Sequence, residues 1–273
     1  MKKFLGACLT ALFIGSVLTG AVACGDDTME NAHKISATGN ENICEHCGQA
    51  LYEGEIEYTL SENGKYYIAD IDSAKGDVIV PGYYKGIGDK DYLPVLEATA
   101  DSRYSLGNVE LSAVVEKIDI AHEHGNNCSQ IFVPAENPYY KTIDGVLFNK
   151  DETKLVCYPA KKEATSYTVP DTVKVIGERA FSMCSHLEEL ILPQNGSLKE
   201  IQEWAFYACE IVSLVIPASV EKIGNDIFTN WGLGDFTPTV YIPFEKDQLP
   251  EGWEADWLNI ICNIEFVYGY TGN

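Results

Sequence analysis

The chain has 273 residues, 46% hydrophobic and 22% charged, with 41 Asp plus Glu against 19 Lys plus Arg and a formal net charge of -22. That excess of acid repels phosphate backbones and anionic lipid surfaces, which excludes a nucleic-acid or polybasic membrane-surface role. With 16 Tyr and 10 Phe the chain is no disordered acidic tail, and nine Cys are too few for a disulfide scaffold, so packing must supply the core.

Met1, Lys2 and Lys3 precede an apolar run from Phe4 to Ala23, so residues 1–23 read as a secretory signal. The run closes on small residues Ala21 and Ala23 ahead of Cys24, an ending that resembles a bacterial lipobox. The resemblance implies acylation of Cys24 and a lipid anchor on the extracellular face of the bacterial membrane. Simple secretion and an uncleaved span are the alternatives, and each places the body outside the cytoplasm. Residues 24–43, rich in Gly, Asn, Asp and Thr, read as a tether whose ends stand roughly 20 to 25 Å apart as a random coil.

Residues 44–72 open with Cys44-Glu45-His46-Cys47-Gly48, which resembles a zinc knuckle. Two thiolates at this spacing, Cys44 and Cys47, suit one tetrahedral metal ion, with further ligands to come from His33, His46, His122, His124 or Cys128. The same spacing suits a local disulfide or redox pair, or two ordinary thiols, and no second close pair selects among them. A hairpin is expected around Asn63 and Gly64.

Beyond residue 72 a short apolar strand ending in Pro recurs: VIVP at Pro81, IFVP at Pro134, YTVP at Pro170, LILP at Pro193, LVIP at Pro217 and VYIP at Pro243. From Pro170 the spacings are 23, 24 and 26 residues, a solenoid period. The intervening segments agree: Val173, Ile176, Ala180, Phe181 and Cys184 are matched by Leu198, Ile201, Ala205, Phe206 and Cys209, then by Val220, Ile223 and Phe228. Alternation sends Leu190 and Leu192 to one face and Ile191 to the other, and Pro ends the ladder because it has no N–H to donate. Gly177 and Gly224 suit a tight turn with positive φ. Ala-Phe is expected on a short helical turn that places the ring inside each coil. Residues 93–130 are degenerate, since VVEKI at Val114 to Ile118 is followed by no Ala-Phe.

The pattern of strand, Ile-Pro, Val-x-x-Ile-Gly, Ala-Phe and Cys resembles the BspA-like leucine-rich repeat of bacterial surface proteins. Residues 137–159, with an Asp-Gly hairpin at Asp144 and Gly145, resemble a segment that this family inserts between ordinary repeats. The fold expected is α/β: a right-handed leucine-rich-repeat solenoid over residues 73–243 with short strands and short helical turns, a hairpin cap before it and a carboxyl-terminal cap over residues 244–273. Trp253, Trp257 and Leu258, at helix-like spacing, would cover the last coil.

Such a sheet turns one residue per strand outward, two before each Pro: Ile79, Phe132, Thr168, Ile191, Val215 and Tyr241. Six or seven strands about 4.8 Å apart make a plate roughly 25 to 30 Å long. These residues read either as a partner-binding stripe or as neighbours that stabilise one another across strands. The resemblance implies surface attachment and adhesion, with an extracellular protein as partner and the membrane met through the lipid anchor only. A glycan is the alternative, stacked on Phe132, Tyr241 and the tyrosines at Tyr83, Tyr84, Tyr139 and Tyr140. A monomer without cofactor is expected, and no enzyme, since no His lies in a nucleophile motif or H-E-x-x-H.

Overall fold

The computed structural model describes residues 34–36, 44, 49–100, 106–120, 127–231, 236–253, 257 and 263–272. The expected signal, Cys24, most of the tether, Cys47, His33, His46, His122 and His124 lie outside the described residues.

In the amino half the strands are β1 (Lys34–Ser36), β2 (Glu53–Gly54), β3 (Glu57–Leu60), β4 (Tyr67–Asp70), β5 (Ala74–Ile79), β6 (Tyr83–Lys85), β7 (Leu93–Thr99), β8 (Leu106–Glu110), β9 (Lys117–Asp119) and β10 (Gln130–Phe132). Strands β3 and β4 form the expected hairpin, closed by the Ser61 N–H on the Tyr66 carbonyl at 2.9 Å. Each coil then contributes to two sheets, β4, β7 and β9 running parallel in one, and β5, β8 and β10 parallel in the other. Lys34–Ser36, within the stretch expected as tether, pairs in parallel with β6, giving that strand a second neighbour besides β7.

The stretch without a recognisable repeat still supplies a strand to each sheet, β8 to one and β9 to the other. Ser112 stands where the other coils carry Pro: the Val115 N–H meets its carbonyl as Val173 meets Pro170 and Val220 meets Pro217. Ser112 does the proline's job of turning the chain without leaving its mark in the sequence.

Next come β11 (Tyr140–Ile143), β12 (Val146–Asn149) and β13 (Lys154–Cys157), an antiparallel meander. Asp144 and Gly145 link β11 to β12 with φ of 50° and 77°, the left-handed pair a tight hairpin turn requires. Strand β12 is buried on both faces: Val146 and Phe148 join the carboxyl-half core and Leu147 the amino-half core.

The carboxyl half holds β14 (Ser166–Thr168), β15 (Val175–Ile176), β16 (Glu189–Ile191), β17 (Glu200–Ile201), β18 (Ser213–Val215), β19 (Lys222–Ile223), β20 (Thr239–Tyr241) and β21 (Glu265–Val267). The proline-terminated strands of this half, joined by β21, form one sheet, β14-β16-β18-β20-β21. The two-residue strands form a second that continues the meander, β11-β12-β13-β15-β17-β19. Between the sheets run buried Phe181, Phe206 and Phe228, stacked at 5.9 Å per step and extended by Tyr158 at 5.3 Å. Identical residues in register let each ring lie on the next, which no single coil achieves alone.

The expected helical turns are absent: among the described residues there is no helix. An α-helix sends every N–H along its own axis, whereas here every second one goes to the next coil. Arg179 donates to Glu203, Phe181 to Ala205 and Met183 to Tyr207, at 2.8 to 3.1 Å, and the same bonds recur from Trp204, Phe206 and Ala208. Positive φ at Arg179, Met183, Trp204 and Ala208 turns these groups sideways. The left-handed positions therefore carry side chains, and Gly177 and Gly224, where positive φ was expected, do not have it. They answer to space instead: a Cβ on Gly177 would stand 2.8 Å from the Leu155 carbonyl oxygen, and one on Gly224 2.6 Å from the Glu203 nitrogen.

The last coil is covered by aromatic rings. Trp231 is fully buried and donates its indole N–H to the Ile211 carbonyl at 2.8 Å. Trp253 and Trp257, also buried, meet edge to face at 4.8 Å, and Trp253 bridges to Ile223 from a turn rather than a helix.

Candidate binding face

Of the residues expected to face outward, Thr168 and Ile191 are exposed and Phe132, Val215 and Tyr241 half-buried, whereas Ile79, also half-buried, packs against the amino-half core. Strand register places Thr168 beside Ile191, Val215 beside Tyr241 and Tyr241 beside Val267, while Glu189 opposite Ser213 carries the same spacing across β16 and β18. The row therefore reads Thr168, Ile191, Val215, Tyr241 and Val267 without interruption. Ile191 is 45% exposed, a large apolar side chain with no cover.

The stripe does not form one plate of six or seven strands. Ile79 and Phe132 belong to the separate sheet β10-β8-β5-β2, where Glu110, unrecognised because its coil lacks Pro, stands between them in register with both. The hairpin inserted at Asp144-Gly145 separates the two sheets, with the Ile131 N–H bonded to the Gly145 carbonyl at 3.0 Å. A groove of about 750 Å³ lies at the break, lined by Phe132, Thr142, Asp144, Lys162, Ser166 and Tyr167 among others. Burial and then Asp144 raise the Tyr167 hydroxyl pKa well above the usual tyrosine range.

A second outward row, two residues upstream on each strand, comprises Ser166, Glu189, Ser213, Thr239 and Glu265 in one sheet and Asn108 and Gln130 in the other. Neither row contains Lys or Arg. Lys117 on β9, Lys154 on β13 and Lys222 on β19 sit on the opposite sheets, with Lys117 paired to Glu97 at 3.0 Å, and Lys75 is exposed on β5 of the outward sheet. The Tyr66 hydroxyl and then Lys117 hold the Glu97 carboxyl below the usual carboxylate range. The two outward rows are thus apolar and polar to acidic, while the opposite sheets mix lysines with acids such as Glu97, Asp119 and Glu200.

The tyrosines offered for glycan stacking are not brought together. Tyr83 and Tyr84 lie on β6 in a different sheet from Phe132 and Tyr241, and Tyr84 is stacked on Tyr58 at 3.8 Å. Tyr139 is exposed and Tyr140 half-buried at the start of β11. Cys44 is buried, its sulfur accepting the Lys34 N–H at 3.4 Å; its partner Cys47 lies outside the described residues, and among the described residues no group of three or more His, Cys, Asp or Glu is placed to hold a metal. Cys128, Cys157, Cys184 and Cys209 are buried, and burial pushes the Cys128 and Cys184 thiols up, away from the reactive thiolate.

No curated protein matches the sequence. Among solved structures, a leucine-rich repeat protein from Eubacterium ventriosum is 23% identical with a TM-score of 0.48, over 57% of this chain and 46% of that one. A leucine-rich repeat protein from Bacteroides capillosus is 31% identical with a TM-score of 0.27, over 37% of this chain and 72% of that one. A leucine rich cell surface protein from Faecalibacterium prausnitzii is 17% identical with a TM-score of 0.36, over 67% of this chain and 52% of that one. The chain spans about half the length of the first and third of these. The family model described as BspA type Leucine rich repeat region matches residues 155–239 in six copies, over the coils that carry the stacked rings. By these repeats the chain belongs to the BspA-type leucine-rich repeat family.

Proposed function

We propose that the chain is a cell-surface binding scaffold whose outward sheet face captures another macromolecule, held to the membrane through Cys24. The observation that carries the reading is the register of Ile191, Val215, Tyr241 and Val267, an apolar row exposed at Ile191 and half-buried along the rest, flanked by a polar row with Glu189 and Glu265. A flat, uncharged centre with a polar rim is the composition of a protein-binding surface. The absence of Lys and Arg from both rows favours a cationic partner. Membership of a repeat family otherwise fixes no ligand.

Cross-linking on intact cells, with mass-spectrometric identification of what is captured, tests the reading. The double variant Ile191→Ser with Tyr241→Ser should lose capture while still unfolding cooperatively, at a cost of about 1 to 2 kcal/mol because Tyr241 is half-buried against Tyr270. Equal capture by parent and variant removes the face from consideration. Palmitate labelling of the parent but not of Cys24→Ala checks the anchor.

A further inference from the structure

The break in the outward sheet leaves two walls that differ in one respect. On the β10 side the donors are taken: the Ile131 N–H by Gly145, and the Val133 N–H by the Thr142 hydroxyl at 3.4 Å. On the β14 side, Thr165, Tyr167 and Val169 make the bonds to β16, as the Glu189 N–H on Thr165 and the Val169 N–H on Ile191 show. In a parallel ladder the residues between them point the other way. The main-chain N–H and C=O of Ser166 and Thr168 therefore point away from β16, Ser166 lines the groove, both residues are exposed, and β14 ends its sheet.

Natural sheets blunt such an edge with Pro, Lys or a covering loop. Here the hairpin tip closes only the β10 wall, and the single cation in the groove, Lys162, is turned across it to the Asp144 carbonyl at 2.6 Å. Around the opening stand Asp144, Glu189 in register with Ser166, and Glu110 in register with Phe132. A groove of about 750 Å³ is within the range of roughly 300 to 1,000 Å³ found for ligand clefts.

We infer that the exposed edge of β14 is a docking site for an extended polypeptide segment of alternating apolar and cationic residues, which adds a strand beside Ser166 and Thr168 and fills the break in the sheet. This rests on the reading of the outward face as a binding surface and names the kind of partner it takes. Main-chain bonding selects a polypeptide over a glycan, and the surrounding carboxylates select its charge. An apolar side chain on the inner side of the added strand would continue the row that includes Tyr167.

The test uses the full chain with an acetylated and amidated seven-residue peptide alternating Lys and Val, the same peptide N-methylated throughout, and a Glu-Val counterpart. Binding of the Lys-Val peptide should slow amide exchange at Ser166 and Thr168 about tenfold or more, and N-methylation should weaken it by at least that factor, since several main-chain bonds are lost together. Thr168→Pro removes one donor of the open edge without touching the bonds to β16 and should weaken the peptide likewise. Should that variant fail to fold, the N-methylated peptide decides on the unaltered chain. The inference is overturned if the N-methylated or Glu-Val peptide binds as well as the Lys-Val peptide, if Ser166 and Thr168 exchange at unchanged rates with the peptide bound, or if no peptide binds. Ile191→Ser with Tyr241→Ser separates the two readings: loss of peptide in that variant, with Thr168→Pro binding normally, refutes the edge and keeps the face.

Discussion

Trp231 stands three residues after Phe228, the place held by Cys184 after Phe181 and Cys209 after Phe206. In the inner coils a thiol suffices because the next coil covers it; at the last full coil an indole takes its place, tilted against Phe228 at 4.7 Å. Trp231→Cys should restore the repeat pattern and still cost about 3 to 5 kcal/mol, the range for emptying a buried aromatic site, read as a lower denaturant midpoint. Gly224→Ala should cost about 1 to 3 kcal/mol in the same measurement, because the Glu203 backbone that its Cβ would strike cannot move without the coil. Tyr67 donates to Asp89 at 2.7 Å, and burial, with that bond second, pushes its hydroxyl up to about 12. A raised value favours the neutral folded form. Its contribution is whole below pH 10 and is lost as pH rises from there through 12, so urea midpoints should fall across that window and fall less in Tyr67→Phe.

The turns after each Gly or Gln are paired to their neighbours as fully as the strands are, though no strand pattern marks them. Alternation and the terminal Pro made one sheet legible in the sequence, because both follow from a strand that buries one side. The second sheet was not legible: Val175–Ile176, Glu200–Ile201 and Lys222–Ile223 are two residues long, too short for any period to show. The Ala-Phe segments read as helical because a small residue beside a ring fits a helix as well as it fits a stacked turn, and only the neighbouring coil decides between them. Glu110 escaped for a similar reason, its coil turning on Ser112 where a search for Pro finds nothing. The outward residues were legible one by one; their division between two sheets depends on where the hairpin tip packs, a contact between Gly145 and Ile131 that spacing does not encode.

At the scale of the whole molecule, β12 lies between two cores, giving Leu147 to one and Val146 and Phe148 to the other. Each core is expected to open while the other stays closed, so Phe206→Ala should raise amide exchange in β14 to β20 and leave β4 to β9 protected. Uniform loss of protection along the chain would show that the two act as one unit. The near-identical spacing of the coils beyond that partition has a genetic corollary. Duplication or deletion of a 23- or 24-residue period between Pro170 and Pro217 swaps like for like at both junctions and leaves the tryptophan lid and the amino half untouched. A lineage can thus lengthen or shorten the plate in steps of about 4.8 Å without redesigning either end.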